Sequence, residues 1–117
     1  MAMAPWVYAN AAKACRFHLQ VAKEQVGLDG RVLARVVRVF RGQEAIQIDD
    51  VIEFDVPVQE EDDGPPGSHY LVYSRLLAAN YLELFLDGEP PRFGSVGFLL
   101  PRIIDAPSEN PVMKLQA

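Results

Sequence analysis

Several features that define whole classes of protein are missing from these 117 residues. The single cysteine, Cys15, can form no internal disulfide and leaves no cysteine cluster for a metal. The longest apolar run is about four residues, whereas a membrane-spanning helix needs ~20. Half of the residues are apolar and 23% are charged, which is a globular composition and excludes wholesale disorder. The length suits one domain.

The ends of the chain are predicted to carry simple structure. Residues 1–14 lack the uninterrupted apolar core of a secretory signal, and Pro5 is typical of the first turn of a short helix over residues 6–14. Residues 106–117 contain two prolines and little periodicity, so we expect an extended tail behind a single domain of residues 1–105. A cytoplasmic location is favoured, and a periplasmic or secreted one requires that a signal segment was removed.

Residues 16–25 alternate between polar and apolar side chains, which predicts a half-buried strand. Phe17, Leu19 and Val21 would face the core. Arg16, His18 and Gln20 would face the solvent. Leu28-Asp29-Gly30 supplies the following turn.

The periodicity of residues 31–41 taken alone favours a helix, because their alternation as a strand is imperfect. On a helix, Arg31, Arg35 and Arg38 would form one polar stripe, because they are spaced by four and three residues. Four valines and the flanking Gly30 and Gly42 favour a strand. We therefore predict a strand that contains a bulge or a strong bend.

Later segments continue the β pattern. Strands are predicted at 51–58 and 69–73, a helix at 74–87 that ends before Gly88, and a final strand region at 92–105. Strands that cannot each pack on a helix must pack on one another. The expected fold class is mainly β with one or two helices, as a small OB-like barrel. An SH3-like barrel and an open α+β sheet are the alternatives.

Three strand segments are similar to those of a known family. Residues 34–42 (ARVVRVFRG), 51–58 (VIEFDVPV) and 69–74 (HYLVYS) resemble the strand series of netrin-like OB domains, the type found in metalloproteinase inhibitors. Residues 102–111 are similar to the tails of short uncharacterised bacterial proteins. The resemblance implies an OB-like fold. It does not imply inhibition, because inhibitory members use an N-terminal cysteine and Cys15 is not terminal.

No catalytic motif is present in the sequence. His18 and His69 belong to no metal-binding or catalytic spacing, and Cys15 and His18 would point to opposite faces of a strand. We interpret Cys15 as a structural thiol and His18 as a solvated residue. No serine lies in a nucleophile elbow, no glycine loop fits a phosphate, and the acids at 60–63 lack calcium-site spacing. No cofactor is expected.

Charge is distributed unevenly along the chain. Residues 1–42 carry seven Lys or Arg against two acids, and residues 43–117 carry four against fourteen, which gives +5 and −10. The candidate binding residues are Arg31, Arg35, Arg38, Arg41 and Tyr73. They could bind single-stranded nucleic acid, but the net charge of −5 opposes this, and pairing with Glu53, Asp55 or the acidic loop is the simpler expectation.

Three functions follow as hypotheses. The first is a non-catalytic interaction or accessory module that binds another protein. The second is binding of single-stranded nucleic acid through the arginine-rich strand. The third is a ligand binder or enzyme whose pocket is assembled from distant residues such as His18, Arg38, Tyr73 and Arg102. Oligomeric state is left open.

Overall fold

A computed structural model describes residues 14–56, 58–59, 71–94 and 102–110. The predicted helix at 6–14 lies outside these residues except for its last position. The described elements are strands β1 Phe17–Val26, β2 Arg31–Arg41, β3 Val51–Asp55, β4 Val58–Gln59 and β5 Leu71–Val72, helix α1 Tyr73–Ala78, and strands β6 Tyr81–Leu86, β7 Arg92–Phe93 and β8 Arg102–Ile104. The mainly-β class is confirmed.

Six strands form one sheet in the order β7-β3-β2-β1-β6-β8, and β4 pairs with β5 separately. Within the described residues the sheet is open rather than closed into the expected OB-like barrel, because different strands, β7 and β8, form its two edges. These edge strands are only two and three residues long. Short edge strands limit unwanted pairing with other chains, which is the same benefit that closure brings.

One side of the sheet, which we call the core face, buries the apolar side chains. Its largest fully buried members include Phe17, Leu19, Ile52, Phe54, Leu82, Leu84 and Phe93. Helix α1 adds Leu76 to this cluster. Lys23 Nζ donates to the backbone oxygens of Leu76 and Leu77 in the last turn of α1, where a cation also complements the helix dipole.

The strand predicted at 31–41 is β2, and it contains bulges as expected. Leu19 lies opposite Val39 and His18 opposite Arg41, so Phe40 is one extra residue on β2. A second extra residue lies further back along the strand. Gln20 is opposite Arg38 and Val21 is opposite Val36, which leaves Val37 without a counterpart on β1.

The helix predicted at 74–87 is wrong beyond its first turn. Helix α1 ends at Ala78, and β6 pairs with β1 on one side and with β8 on the other. Residues 82–86 are all buried, since both faces of this strand are covered. A strand buried on both faces loses its polar–apolar alternation, and its nearly continuous apolar run imitates the broad apolar face of a helix.

The turn after β2 depends on a glycine. Gly42 has φ +97°, and a Cβ added there would lie 2.2 Å from Cδ1 of Phe17. The ring of Phe17 therefore occupies the space that any side chain would need, and the turn fixes where β2 ends.

None of the helices in the described residues is long and apolar enough to span a membrane.

Candidate functional site

The two bulges of β2 bring the four candidate arginines to the same side of the sheet. Arg31 and Arg35 already share a face, because they are separated by an even number of residues. The extra residue Val37 keeps Arg38 on that face, and the extra residue Phe40 does the same for Arg41. We call Arg31, Arg35, Arg38 and Arg41 the arginine row, and the side of the sheet that carries it the arginine face. The helix-like spacing of the sequence thus produces one row on a bulged strand.

The first half of the arginine row is neutralised by carboxylates. Arg31 Nε lies 3.6 Å from Glu53 Oε1 and 3.8 Å from Asp55 Oδ1. Arg35 Nε lies 3.6 Å from Glu24 Oε2, and its Nη1 donates to the backbone oxygen of Asp49 at 3.1 Å. The expected pairing with Glu53 and Asp55 is confirmed for Arg31, whereas Arg35 pairs with Glu24 on β1 instead.

The second half of the row has different surroundings. Arg41 Nη1 donates to the backbone oxygen of Cys15 at 2.8 Å. Arg38 is half-buried, and its Nε is a buried donor without a hydrogen-bond partner in the described part of the chain. A buried donor that lacks an acceptor is costly, typically about 1 to 3 kcal/mol. Arg38 is therefore the member of the row whose Nε the described residues leave without an acceptor.

Arg38 lies at one end of a line of polar residues that crosses four strands in register. We call this line the polar ladder; its members are Arg38 on β2, Gln20 on β1, Glu83 on β6 and Arg102 on β8. Neighbouring strands are ~4.8 Å apart, so the two arginines at the ends are separated by about 14 Å at the backbone. The ladder combines two terminal cations with a buried amide and a buried carboxylate at its centre.

The centre of the polar ladder is fully buried, which the sequence did not predict. Gln20 and Glu83 are each 0% exposed, and Gln20 Nε2 donates to Glu83 Oε1 at 2.8 Å. His18, expected on a solvated face, is 4% exposed. Its ring stacks on the ring of Phe85, with 4.2 Å between the ring centroids. The ring of Phe40 is tilted against it, with 4.8 Å between the centroids. The expectation for His18 is wrong because this stretch of β1 is covered on both faces.

His18 adds an ionisable group to this buried centre. Its Nε2 lies 3.7 Å from Glu83 Oε2, beyond hydrogen-bond distance, and is a buried nitrogen without a partner in the described residues. The centre therefore holds Glu83 between an amide donor and an imidazole.

The chain beyond β8 returns across the arginine face. The backbone N–H of Ser108 donates to Gln20 Oε1 at 2.8 Å, and the N–H of Asn110 donates to Ser108 Oγ at 3.2 Å. Residues 105–110, which we call the C-terminal segment, therefore run from the end of β8 to a position over Gln20. Part of the expected extended tail is thus hydrogen-bonded to the sheet, while residues 111–117 lie outside the described residues.

The other candidate residues are only partly brought together. His18, Arg38 and Arg102, from the proposed ligand pocket, share the arginine face. Tyr73 begins α1, whose Leu76 packs on the core face. Sequence reasoning missed Gln20 and Glu83. The one signal that could have found Glu83 is its place as a lone acid among Leu82, Leu84 and Phe85.

Cys15 has the environment of a structural thiol. The side chain is 2% exposed. Burial, together with the nearby carboxylate of Asp87, raises the pKa of the thiol from 9.0 to about 12. The thiolate is the nucleophilic form of cysteine, so this site opposes nucleophilic chemistry. No group of three or more His, Cys, Asp or Glu residues in the described ranges could hold a metal.

A cleft of about 460 Å³ opens at the end of the arginine face next to the β1–β2 turn. Val26 and Leu33 form apolar walls, and Arg31 and Glu53 line its charged side. Leu28, at the tip of this turn, is 86% exposed. The charged groups of the cleft already pair with each other, because Glu53 binds Arg92 as well as Arg31. The cleft therefore presents mixed charge and no convergent catalytic set.

Comparison with protein-family models, with curated proteins and with solved structures finds no match for this chain. The resemblance to netrin-like domains and to short bacterial proteins therefore stays a prediction.

Proposed function

We propose that this protein is a non-catalytic interaction module that binds an extended acidic segment of a partner protein across the polar ladder. The observation that carries the proposal is the bulge at Val37 in β2, which places Arg38 in register with Gln20, Glu83 and Arg102. Arginine binds carboxylates through a planar fork of donors, and among the described residues no carboxylate pairs with Arg38, whereas Arg31 and Arg35 are paired.

The spacing of the ladder suits an extended peptide. About 14 Å separates Arg38 from Arg102 at the backbone, and four residues of extended chain cover ~13 Å. A peptide that carries acids at positions i and i+4 would reach both arginines. A peptide with adjacent acids would reach only one.

Binding of single-stranded nucleic acid remains the alternative for the same face. It draws less support, because Arg31 and Arg35 already pair with carboxylates and leave fewer cations for phosphates. The aromatic ring of Phe40 packs on His18, so it is not a free platform for stacking bases.

The test uses two labelled decapeptides of identical composition, with glutamates at i and i+4 in one and adjacent in the other. We expect the spaced peptide to bind more tightly, with an affinity that falls as salt rises. Arg38→Gln and Arg102→Gln should each weaken binding by about 3- to 10-fold. Arg75→Gln is the matched control, because Arg75 lies on α1, and it should change nothing.

Three results would contradict the proposal. One is no binding of either peptide at low salt. Another is equal binding of the two peptides with no effect of Arg38→Gln. A third is clearly tighter binding of a single-stranded oligonucleotide of equal charge, which would assign the face to nucleic acid instead.

A further inference from the structure

We propose that the C-terminal segment acts as a built-in competitor, occupying the polar ladder until an acidic partner displaces it. This inference rests on the proposed function, because it concerns the regulation of the same site. It starts from one contact, in which the N–H of Ser108 donates to Gln20 Oε1 at 2.8 Å. That bond holds the segment over the centre of the ladder.

The composition of the segment matches the partner proposed above. Asp105 and Glu109 are four residues apart and both are exposed. Asp105 follows β8 directly, close in sequence to Arg102, and Glu109 follows the residue that is bonded to Gln20. The two acids lie on either side of the Ser108 contact, and within the described residues neither forms an ion pair with Arg38 or Arg102. Their spacing of four residues is that of the acids in the proposed peptide ligand.

The hydrogen bond that holds the segment depends on the buried centre of the polar ladder. Glu83 Oε1 accepts from Gln20 Nε2, which orients the amide so that its oxygen is available to Ser108. The segment is therefore attached through one oriented amide. An attachment of a few hydrogen bonds to a solvent-exposed chain opens far more readily than the packed sheet below it.

The first experiment measures the attachment without any ligand. In Gln20→Met the N–H of Ser108 loses its acceptor, and we expect the exchange of the Ser108 amide with deuterium to accelerate by about 3- to 10-fold. Gln25→Met, at an exposed position of the same strand, is the matched control and should leave this exchange unchanged. Unchanged exchange in a folded Gln20→Met would overturn the attachment.

The second experiment measures competition and leaves the buried centre intact. Ser108→Pro removes the donor N–H and keeps both Gln20 and Glu83, so it also covers the case in which Gln20→Met fails to fold. We expect Ser108→Pro to bind the decapeptide with glutamates at i and i+4 about 3- to 10-fold more tightly than the unmodified protein. Asp105→Asn combined with Glu109→Gln should tighten binding as well.

The outcomes separate the two proposals. If the unmodified protein and Ser108→Pro bind the peptide equally, the competition is contradicted and the interaction function stands. If neither binds while Ser108 exchange responds to Gln20→Met, the attachment stands, but the interaction function fails and the competition with it. If Ser108→Pro weakens binding, the segment assists the ligand rather than competing with it, and the inference is overturned.

Discussion

The two faces of the sheet bury their side chains for different reasons. The core face excludes water with apolar groups such as Leu19, Leu82 and Phe54. Side chains there must fit together in volume and shape. The arginine face buries Gln20 and Glu83 as well, and its constraint is that each polar atom needs a partner. Comparing the faces teaches that the same strand, β1, serves packing on one side and a specific polar arrangement on the other.

The largest effect is expected on the core face at Gly42. In Gly42→Ala the new Cβ would meet the ring of Phe17 at 2.2 Å, and the residue would also have to keep φ +97°. We expect a loss of about 3 kcal/mol in the free energy of unfolding, measured by urea denaturation. Gly94→Ala is the control, since nothing lies within 4 Å of the added Cβ. Equal stability of the two variants would contradict this packing.

A smaller effect is expected on the arginine face at Glu83. Glu83→Leu removes the carboxylate that accepts from Gln20 Nε2 and leaves this buried amide without its acceptor. The unfolding free energy should fall by about 2 kcal/mol. Glu24→Leu is the control, because Glu24 is exposed and its pairing with Arg35 should contribute less than about 1 kcal/mol. An unchanged or higher unfolding free energy in Glu83→Leu would mean that the hydrogen bond between Gln20 and Glu83 does not stabilise the fold.

Cys15 gives a pH-dependent effect of about 1 kcal/mol. Its pKa is about 12 in the folded chain against an ordinary 9.0, so between these values the unfolded chain binds fewer protons than the folded one. Stability from this thiol is therefore complete below pH 9.0 and decreases as the pH rises toward 12. The difference in unfolding free energy between the unmodified protein and Cys15→Ala should shift by about 1 kcal/mol between pH 8 and pH 10, with the unmodified protein losing more. An unchanged difference would mean that Cys15 titrates normally.

The smallest change in unfolding free energy is expected at Arg35, in the exposed half of the arginine row. Arg35→Gln breaks the 3.6 Å ion pair with Glu24 and should change the unfolding free energy by less than about 1 kcal/mol. The change should shrink further in 0.5 M salt, because exposed pairs are screened. A loss as large as that of Glu83→Leu would show that this half of the row is structural, and the distinction between the two halves would fail.

The sequence was sufficient to predict the strands that have one face in solvent. In β2 the valines and flanking glycines outweighed the helical spacing of the arginines, and the predicted bulge accounts for that spacing. The same reasoning failed at 81–86, where burial on both faces removes the alternation that identifies a strand. The long-range pairing with β1 and β8, which no local pattern reveals, decides the structure there.

The functional site was less accessible to sequence reasoning than the fold. Alternation assigned His18 and Gln20 to solvent, because polar residues opposite apolar ones usually are exposed. Their burial depends on chain from far away, including Ser108, which lies 88 residues from Gln20. A polar residue on a strand therefore cannot be classed as exposed until both sides of its sheet are known.

The central claim is that one extra residue in β2, Val37, brings Arg38 to the arginine face. The most direct measurement is the pattern of nuclear Overhauser contacts between the backbone protons of β1 and β2. The account predicts contacts that pair Val21 with Val36, Gln20 with Arg38 and Leu19 with Val39. Regular pairing without extra residues, which would place Val37 opposite Gln20 and Arg38 opposite Leu19, would put Arg38 on the core face and contradict the proposed site.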